Sequence, residues 1–170
     1  MNIQLFPVRV EHLDAIKEIY QYYVDHSTAT FHTGQVTTNE LREKILIDHP
    51  KYKSFVIDVD GVIRGYCYLS QYNKRQAYDR TAELSIYMAR DFKGKGIGSV
   101  VLKQLEQVSM QVGIVVLLAI ITGDNTHSIR SFTSAGYAKC ADLKAVGEKF
   151  GKLLDVVFYQ KILSLPSVEH

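Results

Sequence analysis

Apolar residues recur at three- and four-residue spacing through Leu13, Ile16, Ile19, Tyr20, Tyr23 and Val24, the one-sided stripe of an amphipathic helix. A short strand around Ile3 to Phe6 precedes it. The polar, Thr- and His-rich stretch Asp25 to Thr38 follows, leading into a shorter helical segment with Leu41 and Ile45 on its buried side. Ser54 to Val59 and Val62 to Leu69 are apolar or aromatic runs joined by Asp60-Gly61, the pair a type I′ turn favours, which predicts a hairpin. After a loop from Asn73 to Arg80, Thr81 to Met88 alternates, with Ala82, Leu84, Ile86 and Met88 on one face and Glu83, Ser85 and Tyr87 on the other.

A second helical stripe, Ile97, Val101, Leu105, Val108 and Val112, ends at Gly113 in the C′ manner. The continuous apolar run Ile114 to Ile121 predicts a strand covered on both faces. A helix from Asn125 to Ala135 stops at Gly136, and strands Tyr137 to Val146 and Leu154 to Leu163 close the chain on either side of a polar connection, Glu148 to Lys152. The order β-α-α-β-β-β-α-β-α-β-β predicts an α/β (α+β) protein with a mixed central sheet and helices on both faces. No linker or repeat interrupts it, so residues 1–163 read as a single domain and 164–170 as a C-terminal tail.

Composition narrows the function. With 170 residues, 46% of them hydrophobic, the chain can bury one substantial core. Its 20 basic and 18 acidic residues nearly cancel, without the basic cluster of a nucleic-acid binder. The start lacks the basic and apolar regions of a secretory signal, and the longest apolar run falls short of the ~20 residues that span a bilayer. A cytoplasmic protein without nucleic-acid or membrane partners is expected. Cys67 and Cys140 stand far apart in apolar, strand-like segments and read as small buried hydrophobes. The six histidines show no metal-ligand spacing and do not combine with the cysteines, so no metal is expected.

Between the alternating strand and its following helix lies Lys93-Gly94-Lys95-Gly96-Ile97-Gly98. Amides in the first turn of a helix lack intrahelical partners and sit at the positive end of its dipole, and glycines let an anion approach them. Gly94, Gly96 and Gly98 supply that approach, while Lys93 and Lys95 add charge. A Gly-x-Gly taken alone reads more readily as a structural turn with a flexible cap. No Gly-Lys-Ser/Thr ends the segment, which excludes a P-loop, and a dinucleotide fingerprint would require glycine at Ser99 or Val101.

The loop resembles the Gln/Arg-x-x-Gly-x-Gly/Ala segment of the GNAT acetyltransferases, with Lys93 where Gln or Arg is usual. The likeness extends to Thr28-Ala29-Thr30-Phe31, to Thr81-Ala82-Glu83-Leu84-Ser85-Ile86-Tyr87, and to the closing Val146-Gly147-Glu148-Lys149-Phe150-Gly151-Lys152 with Asp155-Val156-Val157-Phe158-Tyr159-Gln160. These stretches resemble the phosphinothricin and methionine sulfoximine N-acetyltransferase branch.

The resemblance implies a GNAT fold, acetyl-CoA as co-substrate and a homodimer. It implies that Ile86, Tyr87 and Met88 pair with the pantetheine arm, that Lys93, Gly94, Lys95, Gly96, Ile97, Gly98 and Ser99 hold the pyrophosphate, and that Asn125 and Ser128 also touch the cofactor. Glu83 matches the family's base, and Phe31, Arg75, Tyr78, Arg80 and Ser85 fall where the acceptor binds. Departures are Phe132, where many members carry a tyrosine able to protonate the leaving thiolate, and Leu153-Leu154 before Asp155, where herbicide-detoxifying relatives carry an aromatic and a histidine.

The chemistry agrees with those assignments. Acyl transfer needs a neutral amine, and amino groups titrate at about 8 to 10, so a base near the nucleophile helps at neutral pH. Glu83, on the polar face of the strand entering the loop, is the candidate, against the reading of a solvated or ion-paired strand carboxylate. Arg75 or Arg80 would hold a substrate carboxylate, with Phe31 and Tyr78 as pocket walls. The expected reaction is direct acetyl transfer from acetyl-CoA to the α-amino group of a small amino acid or analogue. The alternatives are acetylation of a peptide or protein N-terminus and, given Phe132, a non-catalytic CoA-binding sensor.

Overall fold

The computed structural model describes residues 1–163; the expected tail, 164–170, lies outside the described residues. Among the described residues seven strands form one sheet in the order β1-β2-β3-β4-β5-β7-β6. They are β1 (Ile3–Pro7), β2 (Ser54–Val59), β3 (Val62–Gln71), β4 (Thr81–Met88), β5 (Val116–Thr122), β6 (Ala138–Lys149) and β7 (Lys152–Ile162). Neighbours run antiparallel except β4 and β5, which are parallel.

Helices cover both faces, as the sequence pattern implies. On one face α1 (Leu13–His26) and α2 (Thr38–Lys44) pack Leu13, Ile16, Tyr20, Val24 and Leu41 against Val56 and Tyr66 of the sheet. Thr37 caps α2 by accepting from the Glu40 amide while the Glu40 side chain returns to the Thr37 amide. On the opposite face α3 (Ile97–Gln111) buries Ile97, Val101 and Leu105 against Ile57, Cys67 and Met88. Beside it Ile129, Phe132 and Ala135, along α4 (Thr126–Ser134) and at its C-cap, lean on a cluster containing Ala82, Leu84, Leu117 and Ala119.

Several element ends differ from the sequence reading. The fifth strand starts at Val116, because Gly113 at φ 81° turns the chain out of α3 and the Ile114 amide bonds back to the Ser109 carbonyl. Ile114 is therefore a fully buried plug ahead of the strand. Nor is β5 covered on both faces: Ile120 remains 42% exposed on the side bearing α1 and α2, which reach only as far as β4.

The polar segment Glu148 to Lys152 is not a loop. Strands β6 and β7 continue through it, pairing Glu148 with Leu153 and Lys149 with Lys152, and turn on Phe150 and Gly151, both at positive φ. Cys67 is buried as expected, whereas Cys140 is exposed on the edge strand β6.

Candidate active site

The sheet opens at its one parallel junction. β4 and β5 pair only from Thr81 opposite Val116 to Glu83 opposite Leu118, while β3 holds β4 as far as Met88 and β7 holds β5 as far as Thr122. Beyond Glu83 the two strands separate into a wedge. The facing backbone edges of Leu84–Met88 and Ala119–Thr122 have no strand partner among the described residues. Such a gap at the carboxyl ends of parallel strands is where open α/β sheets take ligands, and its unpaired amides and carbonyls can pair with an extended one.

The glycine loop stands at the mouth of the wedge on the β4 side. Gly94 and Gly96 adopt φ of 73° and 76°, with Gly96 as the N-cap of α3, a conformation that L-side chains rarely take. Nothing lies within 4 Å of where a Cβ would sit on Gly94, Gly96 or Gly98, so the first turn of α3 is open to an anion.

Cations and aromatic rings surround it. Lys93 Nζ lies 4.3 Å from the ring centre of Tyr23 and 5.6 Å from that of Tyr22. Arg64 and Lys95 lie 4.4 Å and 4.5 Å from that of Phe92. None of Arg64, Arg90, Lys93 and Lys95 is ion-paired among the described residues. Burial and the neighbouring Arg90 lower the pKa of the Lys93 ammonium. Ser99 is exposed in the first turn of α3.

Glu83 is the last residue of β4 still paired to β5, at the apex of the wedge. Partial burial raises its carboxyl above its ordinary value, and no cation is ion-paired with it among the described residues. Ser85 and Tyr87 follow on the same face, opposite Tyr68 and Tyr66 of β3. Burial among Tyr20, Tyr23, Tyr66 and Tyr68 holds the Tyr87 phenol well above its ordinary value, so it stays protonated. Tyr68, beside Ser85 and Glu83, is pushed up to about 12, chiefly by burial. The Tyr23 hydroxyl donates to the Met88 carbonyl at 2.6 Å and fixes the end of β4.

The loop after α1 bridges the wedge on this same face. At one end the Thr122 hydroxyl of β5 donates to the Thr28 carbonyl, and the Thr28 hydroxyl donates to Asp124 at 2.8 Å. At the other end Thr30 shares a 2.7 Å hydrogen bond with the Tyr20 hydroxyl, and the Tyr20 ring meets Tyr87 edge-on at 5.4 Å. Phe31 follows, 37% exposed, with its ring against Gly147 of β6.

Lys149, only 4% exposed, donates to the carbonyls of Ser27 at 2.7 Å, Thr30 at 2.8 Å and Tyr23 at 3.4 Å. Sequence reasoning gave Lys149, Thr122 and Tyr20 no part in the site. The signal available was the lysine at the tip of the closing hairpin; its partners stand 119 to 126 residues away and are invisible to local spacing.

The remaining candidates scatter. Asn125 is the N-cap of α4, accepting from the Ser128 amide at 3.2 Å, which sets both residues just past the β5 end of the wedge. Phe132 packs edge-on against Tyr137 at 5.0 Å. Arg75, Tyr78 and Arg80 are exposed before the start of β4, the end opposite the glycine loop, and Tyr78 meets Tyr72 edge-on at 5.5 Å. Two surface grooves, one along the outer face of α1 and one between β1 and α3, lie away from Glu83, so shape alone does not point to the site. The described residues contain no group of three or more His, Cys, Asp or Glu able to hold a metal, and no helix long and apolar enough to cross a membrane.

Residues 7–158 match the family model described as an acetyltransferase (GNAT) domain. The chain is 35% identical to a phosphinothricin N-acetyltransferase of Alcaligenes faecalis, over 92% of this chain and 81% of the relative. It is 31% identical to an L-methionine sulfoximine/L-methionine sulfone acetyltransferase of Salmonella typhimurium, over 86% of each. Among solved structures, a phosphinothricin acetyltransferase of the GNAT superfamily from Sinorhizobium meliloti, in complex with acetyl-CoA, superposes with a TM-score of 0.88. It is 30% identical, with 96% of this chain and 90% of that one covered.

Proposed function

The chain belongs to the acetyltransferase (GNAT) family, and from that premise we propose that it moves acetyl from acetyl-CoA directly to the α-amino group of a small free amino acid or analogue of the phosphinothricin or methionine sulfoximine kind. The observation that carries this reading is Glu83: a partly buried carboxylate without an ion pair among the described residues, at the apex of an open wedge whose mouth is lined by bare helix-terminal amides and cations. Relatives named for the acetylation of phosphinothricin and of methionine sulfoximine support the acceptor class.

The residues fit the donor. Gly94, Gly96, Gly98 and Ser99 would receive the pyrophosphate on free amides, with Lys93 and Lys95 supplying charge and Asn125 and Ser128 closing the β5 side. The unpaired edge of Ile86, Tyr87 and Met88 would pair with the pantetheine arm. Bound acetyl-CoA supplies the activated acetyl group. Glu83 takes a proton from the acceptor ammonium through water, and its raised pKa makes it a better base than an exposed carboxylate. Ser85 and Phe31 border the acceptor, and Arg75 or Arg80 would reach its carboxylate from the far end of β4. The protein works as a cytoplasmic homodimer in this reading.

A second reading has one observation in its favour: Phe132 offers no proton to a departing thiolate, as a non-catalytic CoA sensor would tolerate. Thiol release from acetyl-CoA, followed across free amino acids, methionine sulfoximine, phosphinothricin and short peptides, separates the readings. Turnover confined to the free amino acids and analogues is the expected result. CoA binding without turnover on any amine favours the sensor, and turnover on peptides alone overturns the acceptor class.

A further inference from the structure

The geometry points to a specificity role for the tip of the closing hairpin: Gly147 and Lys149 together position Phe31, and through it set the fit of the acceptor amine. This rests on the reading that Phe31 walls the acceptor pocket. Positions 147 and 149 share one face of β6 by strand alternation, and that face meets the Ser27–Phe31 loop.

Their contributions are complementary. Lys149 fixes the backbone, since its three N–H donors meet three carbonyls, those of Tyr23 at the end of α1 and of Ser27 and Thr30 in the loop. Among the described residues no carboxylate lies within ion-pair distance of this buried ammonium, which is costly in desolvation unless its hydrogen bonds are all made. Burial lowers its pKa, and the nearby charge of Asp25 offsets this in part.

Gly147 leaves space for the ring. A Cβ there would overlap the Phe31 ring, with a second ring carbon at 2.6 Å and a third at 3.0 Å. The φ of Gly147 is not positive, so its backbone would accept alanine, and the close approach of Phe31 is what the missing side chain permits. The loop is thus held from β5 by Thr122 and Asp124 and from β6 by Lys149, with Phe31 seated between them.

Steady-state kinetics with acetyl-CoA and L-methionine sulfoximine as the acceptor probe test this. Gly147→Ala is expected to raise the acceptor KM about 10-fold while kcat and the acetyl-CoA KM stay within about 2-fold. Lys149→Met should do the same and also speed amide exchange at Ala29 to His32 about 10-fold, with Lys149→Arg recovering part of both. An unaltered acceptor KM in folded Gly147→Ala overturns the proposal, and so does unaltered exchange in folded Lys149→Met. Phe31→Ala then locates the failure. If it raises the acceptor KM while Gly147→Ala does not, the pocket reading stands and the hairpin has no part in it; if it changes nothing, the pocket reading itself falls. Should Lys149→Met not fold, Gly147→Ala carries the test, because it keeps the ammonium clamp.

Discussion

Both the glycine loop after β4 and the Ser27–Phe31 loop after α1 border the β4–β5 wedge, yet they are held in different ways. Glycine-loop geometry is local: two positive-φ glycines, a helix start and a strand end, all between Met88 and Ile97. The α1 loop is held from outside, by Tyr20, Thr122, Asp124 and Lys149, with its partners up to 122 residues distant in the chain. In the proposed function, backbone groups would recognise what every CoA ester shares, and side chains gathered from three segments would recognise what differs between amines. The contrast predicts that cofactor and acceptor binding respond to different substitutions.

Glu83, at the apex where both meet, should give the largest effect. Glu83→Gln is expected to lower kcat at saturating amine and pH 7 about 100-fold or more, as general-base catalysis contributes at that scale. Because burial raises the Glu83 pKa, wild-type activity should climb with pH through a limb displaced upward from that of an exposed carboxylate. That limb, measured as kcat/KM against pH, should be absent in Glu83→Gln.

On the hairpin, Leu154 is 5% exposed, and Leu154→Ala should cost about 2–5 kcal/mol of stability, read by denaturant melts. Leu153, 70% exposed, should give less than about 0.5 kcal/mol on the same change. On the other side of the wedge, Gly96→Ala forces a Cβ into φ 76° and should raise the acetyl-CoA KM about 10-fold.

The smallest effect is on stability near Glu83. A carboxyl whose pKa is higher folded than unfolded binds more protons in the folded state between the two values, so stability falls as pH rises through that window. Glu83→Gln should therefore raise the melting temperature at pH 7 and leave it unchanged at pH 4, below both values. This is the opposite sign from its effect on turnover.

Much of this architecture was legible in the sequence because it rests on local rules. Alternation marked β4 and its polar face, Asp60-Gly61 marked the first hairpin, and glycines after α3 and α4 marked their ends. The glycine loop was readable for the same reason. The closing turn was not, since Glu148 to Lys152 is polar enough to pass for a loop, while its fold depends on burying Lys149 against α1 and on positive φ at Phe150 and Gly151. The open face at Ile120 was equally hidden, because an apolar run does not say which neighbouring strands the helices reach. Arg75, Tyr78 and Arg80 stand just before β4, at the end of the strand nearer Glu83 and opposite the glycine loop.

The most direct measurement compares Gly96→Ala and Gly147→Ala in parallel, reading both KM values for each. The expected result is a double separation, Gly96→Ala raising only the acetyl-CoA KM and Gly147→Ala raising only that of the acceptor. Equal changes in both constants for both variants would contradict the division of the site into a backbone-built cofactor side and a side-chain-built acceptor side.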